Sequence, residues 1–115
     1  MSEWTIYHNP KCSKSRQTLA LLEDKGVHPN VIEYLQTPPS TADLKEILSK
    51  LGKRAVEIVR TKEDAFKELK LDWENENEAI KALVENPKLI ERPIVVHGEK
   101  AVLGRPPENV LSLLE

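Results

Sequence analysis

The residues with the clearest chemical potential lie in one run, Tyr7-His8-Asn9-Pro10-Lys11-Cys12-Ser13-Lys14-Ser15-Arg16, around the chain's single cysteine. The β-prone residues Trp4-Thr5-Ile6-Tyr7 precede it and a helical pattern starts at Ser13, so Cys12 falls where a strand hands over to a helix. The first turn of a helix offers backbone N–H groups without intrahelical partners and the positive end of the helix dipole. Both favour a thiolate over a thiol. His8, Lys11, Lys14 and Arg16 add possible positive charge nearby. A free cysteine is only a few per cent thiolate near neutral pH, so such surroundings are what a nucleophile needs. The competing reading is a buried cysteine acting as a small hydrophobe. Polar and charged residues on both sides of Cys12 fit a loop rim better than a core.

Three arginines are the other candidates. Arg60 ends the apolar run Ile58-Val59, Arg92 precedes Pro93, and Arg105 follows Leu103-Gly104. Guanidinium groups present planar forks that suit tetrahedral oxyanions, stay charged at any working pH and stabilise a nearby thiolate. The alternative for each is a surface charge paired with a carboxylate, and composition does not choose between the two.

The elements that must position these groups can be read along the chain. After the first strand, a helix from Ser13 to Lys25 puts Thr18, Leu19 and Leu22 on one side, and Gly26 closes it. Residues 31–35 read as a second, buried strand, parallel to the first because a helix intervenes. Ser40-Thr41-Ala42-Asp43 has the form of a capping box with Asp in the Glu position. Leu44, Ile47, Leu48 and Leu51 follow on one face before Gly52. Helical segments are expected at 54–60, at 63–69 with Ala65, Phe66 and Leu69 inward, and at about 76–85 with Ala79, Ile80, Leu83 and Val84 as its stripe. Pro87 stops the last of these. Residues 93–97 and 101–103 form two β-rich runs at hairpin spacing, and Pro106-Pro107 opens a final helix carrying Val110, Leu111 and Leu114. The order βαβ, helical block, ββα is the thioredoxin-like arrangement. The expectation is an α/β domain over residues 1–115 with a mixed sheet of about four strands and a helical insertion at about 40–86. In that fold the joint after the first strand is the active site, and a proline opening the third strand faces it, commonly through a cis bond. Pro93 meets that description, which sets Arg92 beside Cys12.

Composition narrows the classes. The chain has 115 residues, 39% hydrophobic and 31% charged, with a net charge of −2, which suits one domain with its own core and disfavours general nucleic-acid affinity. One cysteine forbids an internal disulfide. With no signal-like or membrane-length apolar stretch, a soluble cytoplasmic monomer is expected. The histidines at 8, 28 and 97 lack spaced Cys or His partners, so no metal site is expected.

Five segments together resemble one family. They are 8–16, Pro38-Pro39-Ser40, the Arg60 segment, Asn86-Pro87-Lys88-Leu89-Ile90-Glu91-Arg92-Pro93-Ile94-Val95-Val96, and Gly104-Arg105-Pro106-Pro107-Glu108. The chain resembles the glutaredoxin-coupled arsenate reductase (ArsC) family, closest to its YfgD-like branch, over nearly its whole length. The resemblance implies that Cys12 is the nucleophile and that Arg60, Arg92 and Arg105 hold arsenate and then arsenite. It implies that His8 keeps Cys12 ionised, through charge or an indirect hydrogen-bond network. Ser15 stands where dithiol relatives have a second cysteine and can donate a hydrogen bond to the thiolate, with Asn9 as a further supporting residue. The implied cycle uses reduced glutathione as co-substrate and glutaredoxin as partner, with no bound cofactor. The chain departs from the best-known reductase pattern at Ser13-Lys14, where Gly-Thr is more familiar, and Lys14 could strengthen anion binding or admit another oxyanion. Two other functions fit the same fold. One is an Spx-like regulator that binds RNA polymerase, for which Ser15 in place of a second cysteine removes the disulfide switch. The other is a general glutathione-dependent thiol reductase, which would leave three arginines unexplained.

Overall fold

The computed structural model describes residues 3–114. They group into two compact units: the described residues of Met1–Thr37 and Arg92–Glu115, and Pro38–Glu91. The first unit contains strand β1 (Trp4–His8), helix α1 (Ser13–Asp24), strands β2 (Asn30–Glu33), β3 (Ile94–His97) and β4 (Lys100–Leu103), and a final 3-10 helix, Pro107–Leu114. The sheet order is β2-β1-β3-β4. β1 runs parallel to β2 and antiparallel to β3, and β3 pairs antiparallel with β4. The mixed four-stranded sheet and the parallel β1–β2 pair are as the sequence leads one to expect.

Register builds the core of this unit. Val31, Ile6, Val95 and Val102 pair in one row across the four strands, and residues paired in a row share a sheet face. Ile6 and Val95 are buried with Leu22 of α1 and Val110 and Leu113 of the final helix, so those two helices cover that face. Trp4 stacks on His97, its partner across the β1–β3 pair, at 4.0 Å between ring centroids. His97 Nδ1 lies 3.1 Å from the Leu113 carbonyl, which ties the final helix to β3.

The same register decides which loops meet. Ile94 pairs with Tyr7 on one side and with Leu103 on the other, and His8 pairs with Glu33. The loop after β1, the Arg92-Pro93 turn into β3 and the Leu103-Gly104-Arg105 exit from β4 therefore emerge at one end of the sheet. The Arg92–Pro93 bond is cis, as expected, and Arg105–Pro106 is cis as well.

Three expectations need correction. β2 is not buried: it is an edge strand with β1 as its only neighbour in the sheet, and Val31 is 46% exposed where the cover on its row runs out. The last helix is 3-10, not α. It buries Pro107, Val110 and Leu113, spaced three apart to match three residues per turn, and leaves Leu111 and Leu114 exposed. The segment at 54–60 shortens to a 3-10 turn, Ala55–Ile58.

The second unit is helical, with α2 (Thr41–Leu51), α3 (Asp64–Glu68), α4 (Glu76–Glu85) and a 3-10 turn at Pro87–Leu89. The capping box on α2 is complete: Ser40 Oγ accepts from the Asp43 N–H at 3.1 Å and Asp43 accepts from the Ser40 N–H at 3.3 Å. Gly52 closes the helix in the left-handed conformation, φ +67°, which glycine adopts without a Cβ penalty. α2 buries Leu44, Ile47 and Leu48, and α4 buries Ala79, Ile80, Ala82 and Leu83. Ala65, Phe66 and Leu69 around α3 are half-buried. Val59 bridges Ile90, and the Arg60 N–H donates to the Leu89 carbonyl at 2.7 Å, so Arg60 leaves a fixed point of the backbone.

Candidate active site

Cys12 is the N-cap residue of α1, in extended conformation (φ −98°, ψ 122°). Its N–H donates to the Asn9 carbonyl at 3.0 Å and its carbonyl accepts from the Arg16 N–H at 3.0 Å, so the loop folds directly into the helix. As an N-cap its sulfur makes no capping hydrogen bond, and no acidic residue stands in the first helical turn. The amides of that turn lack intrahelical acceptors, and the dipole adds positive potential at the sulfur. The loop-rim expectation needs refining: Cys12 is only 8% exposed. The polar flanks do face water, with Lys11, Ser13 and Lys14 exposed, while Cys12 between them is buried.

A hydrogen-bonded cluster supports the loop from beneath. Ser15, fully buried, places its Oγ 2.6 Å from His8 Nδ1 and accepts from the Asn9 N–H at 3.1 Å. Asn9 Oδ1 accepts from the Lys11 N–H at 3.0 Å, an Asx turn that shapes the bend at Pro10. Arg16 Nη1 donates to the Pro10 carbonyl at 2.9 Å, clamping the bend from the helix side. Burial pushes the His8 imidazole below the usual histidine range; the Glu33 carboxylate opposes this and the Arg16 guanidinium adds to it. His8 is therefore mainly neutral near pH 7. Of the two routes by which it was expected to act, charge is disfavoured; the hydrogen bonds of His8 run to Ser15, which holds the Asn9 N–H, and the Asn9 carbonyl in turn takes the Cys12 N–H.

Arg92 and Arg105 flank the turns at the same end of the sheet. Arg92 Nε is buried and has no acceptor among the described residues. A charged donor in that condition is costly unless an anion completes it. The Arg105 residue is exposed. Arg60 belongs to the second unit, where its Nη1 donates to Glu63 Oε1 at 2.9 Å. That is the carboxylate pairing weighed as the alternative for each arginine, although it engages one of five guanidinium donors. The structure thus brings His8, Asn9, Cys12 and Ser15 into one bonded cluster and sets Arg92 and Arg105 at its end of the sheet.

A cavity of about 230 Å³ lies between the loop and the end of β2, lined by His8, Asn9, Pro10, Lys11, Glu33, Leu35 and Gln36. With one carboxylate, one ammonium and an apolar wall, its lining does not single out an oxyanion. Among the described residues no group of three or more His, Cys, Asp or Glu is placed to hold a metal ion, and no helix is long and apolar enough to cross a membrane.

Sequence reasoning missed Thr18 and Gly104, which bond to each other behind the loop. The available signal was a threonine on the apolar side of a helix, since a buried hydroxyl requires a partner.

The family model described as ArsC family matches residues 7–113, which takes in the loop, all three arginines and every strand but the start of β1. The chain belongs to the ArsC family. It is 54% identical over 112 residues to the uncharacterized protein YfgD of Escherichia coli K12, covering 95% of this chain and 94% of that one, consistent with the YfgD-like branch. The chain is 52% identical over 112 residues to the arsenate reductase of Haemophilus influenzae, covering 95% of this chain and 97% of that one. Among solved structures, the arsenate reductase from Vibrio cholerae superposes with a TM-score of 0.89 at 49% identity, over 96% of this chain and 97% of that one. The thioredoxin-like ArsC fold follows from that match. In this ArsC chain Ser13 and Lys14, the departure from the familiar pattern, are the first two residues of α1, both exposed.

Proposed function

We propose that this protein reduces arsenate to arsenite, with Cys12 as the nucleophile and reduced glutathione and glutaredoxin as the source of electrons. The observation that carries the reading is Cys12 at an uncapped helix start, at the sheet end where Arg92 holds a buried donor without an acceptor among the described residues. Membership of a family whose close members include named arsenate reductases supports the choice of oxyanion.

In the proposed cycle the Cys12 thiolate attacks arsenic(V), a sulfur–arsenic bond forms, and one arsenate oxygen leaves as water after taking up two protons. The glutathione thiolate then attacks the Cys12 sulfur. The sulfur–sulfur bond forms as the sulfur–arsenic bond breaks, and the bonding pair stays on arsenic, which departs as arsenite. Two sulfurs are oxidised by one electron each and arsenic gains two. The Cys12–glutathione disulfide is opened by glutaredoxin, because the chain has no second cysteine to do so. Arg92 and Arg105 hold the oxyanion and offset its charge against the thiolate. Arg60 is included as a third ligand on the family resemblance.

Ser15 donating to the thiolate places a condition on His8. Its oxygen already accepts from the Asn9 N–H, so its proton is released towards sulfur only when His8 Nδ1 carries the hydrogen and donates as well. A neutral His8 in that tautomer meets the condition. The cycle belongs in a reducing compartment, the cytoplasm, and works in a monomer.

The test is arsenate-dependent NADPH consumption with glutathione, glutathione reductase and glutaredoxin, run beside Cys12→Ser. Turnover in the parent protein and none in the variant is expected. No arsenate-dependent signal above the variant, with demonstrably active coupling enzymes, would sink the proposal.

A further inference from the structure

Thr18 is a fully buried threonine in the middle of α1, six residues beyond Cys12, or about 9 Å along the helix axis at the usual rise per residue. Its Oγ1 lies 2.8 Å from the Lys14 carbonyl, one turn back in its own helix, and 3.2 Å from the Gly104 carbonyl. One hydroxyl proton serves both acceptors. Gly104 in turn donates its N–H to the Pro93 carbonyl at 2.9 Å, continuing the β3–β4 ladder one step past Leu103. The close approach is extreme at this point. A Cβ on Gly104 would stand 2.7 Å from Thr18 Oγ1, 2.9 Å from Thr18 Cγ2 and 2.8 Å from Pro93 Cγ.

Three segments therefore meet where there is no room for a methyl group: the helix that begins at Cys12, the turn into β3 and the exit from β4. Arg92 is the residue before Pro93, and Arg105 is the residue after Gly104. Any change in the spacing between Thr18 and Gly104 is passed on to both arginines relative to the sulfur. A valine at position 18 would fill the same space and restore none of the hydrogen bond, so the hydroxyl's role is separable from packing.

We propose that Thr18 and Gly104 are positioning residues for oxyanion binding: the Thr18 hydroxyl on the Gly104 carbonyl sets the Arg92 and Arg105 turns at their distance from the helix that presents Cys12. The inference rests on the reading of those two arginines as oxyanion ligands. Neither residue touches the oxyanion.

The test compares T18V, T18S and T18A in the glutaredoxin-coupled arsenate assay, and measures alkylation of Cys12 by iodoacetamide with and without arsenate. T18V should raise KM for arsenate roughly tenfold, the scale of one buried hydrogen bond. Arsenate should protect its thiol correspondingly less, while the alkylation rate without arsenate stays within twofold of the parent. T18S, which restores the hydroxyl, should recover most of the KM. If T18V folds poorly, T18A, which removes the hydroxyl and relieves the crowding, takes its place with the same expectation. A T18V or T18A protein with unchanged KM overturns the proposal. So does one whose KM is unchanged while kcat and the unprotected alkylation rate fall together, because that is a role in holding Cys12 rather than the arginines. In those cases the parent enzyme still turns over arsenate and the functional reading stands. A parent protein that arsenate neither protects nor is reduced by takes both down.

Discussion

Helices α1 and α2 begin in opposite ways. α2 starts from Ser40 with a complete capping box, and Asp43 in its first turn complements the dipole. α1 starts from Cys12, which makes no capping bond, has Ser15 where α2 has Asp43, and carries no acidic residue in its first turn. A cap of the first kind is worth about 1 kcal/mol, and the chain forgoes it at α1. The amides left uncommitted there, with the dipole behind them, are what an incoming anion or a thiolate can use. One helix start is closed by side-chain caps and the other is left without one.

The sharpest way to break that contrast is to cap α1. Cys12→Ser installs a preferred N-cap residue, so it should abolish arsenate-dependent turnover while leaving the thermal midpoint unchanged or raised. A marked fall in the midpoint would mean that the buried sulfur is there for packing. Arg92→Ala comes next. Loss of a charge-assisted contact to the oxyanion should lower kcat/KM for arsenate by roughly 10- to 100-fold. Urea unfolding should show a change within about 1 kcal/mol, since the buried Nε bonds no acceptor among the described residues. Equal kinetics in parent and variant would take Arg92 out of the site. At α2 the sign reverses: Ser40→Ala should cost about 1 kcal/mol in urea unfolding, with turnover unaltered under conditions where the variant is fully folded.

The smallest effect concerns His8, beneath the open helix start. Burial holds its imidazole below the usual histidine range in the folded chain, so the unfolded chain binds more protons as the medium becomes acid. Its contribution to stability is complete above about pH 6.5 and is lost as pH falls through the folded-state value. Urea midpoints at pH 7 and pH 5 should therefore differ less in His8→Gln than in the parent. Equal differences in the two proteins would show that other groups carry the acid sensitivity.

Much of this was legible in local pattern. The capping box at Ser40, the stop at Gly52, the stripe of α4 and the β-rich hairpin are set by residues within a few positions of one another, and each appears where the pattern puts it, except that α4 buries Ala82 and leaves Val84 half-buried. The helix start at Cys12 was legible for the same reason. What failed depended on neighbours distant in sequence. Val31-Ile32 looks like a buried strand, but its exposure follows from its place at the sheet edge. The final segment looks like an α-helix, but the three-residue spacing of the groups it buries against α1 and the sheet selects the tighter turn. Polar flanks suggested an exposed Cys12, whereas the residue is buried.

The amino-acid sequence by itself determined the element order, the address of the lone cysteine at a helix start and the absence of a second thiol, because these depend on residue type and short-range spacing. Only the tertiary structure decided that His8 is buried with its Nδ1 on Ser15, that Arg92 holds a donor without an acceptor among the described residues and Arg60 pairs with Glu63, and that Thr18 meets Gly104 across 86 positions of chain. Those outcomes depend on strand register and on the distance between backbones, which no residue carries alone.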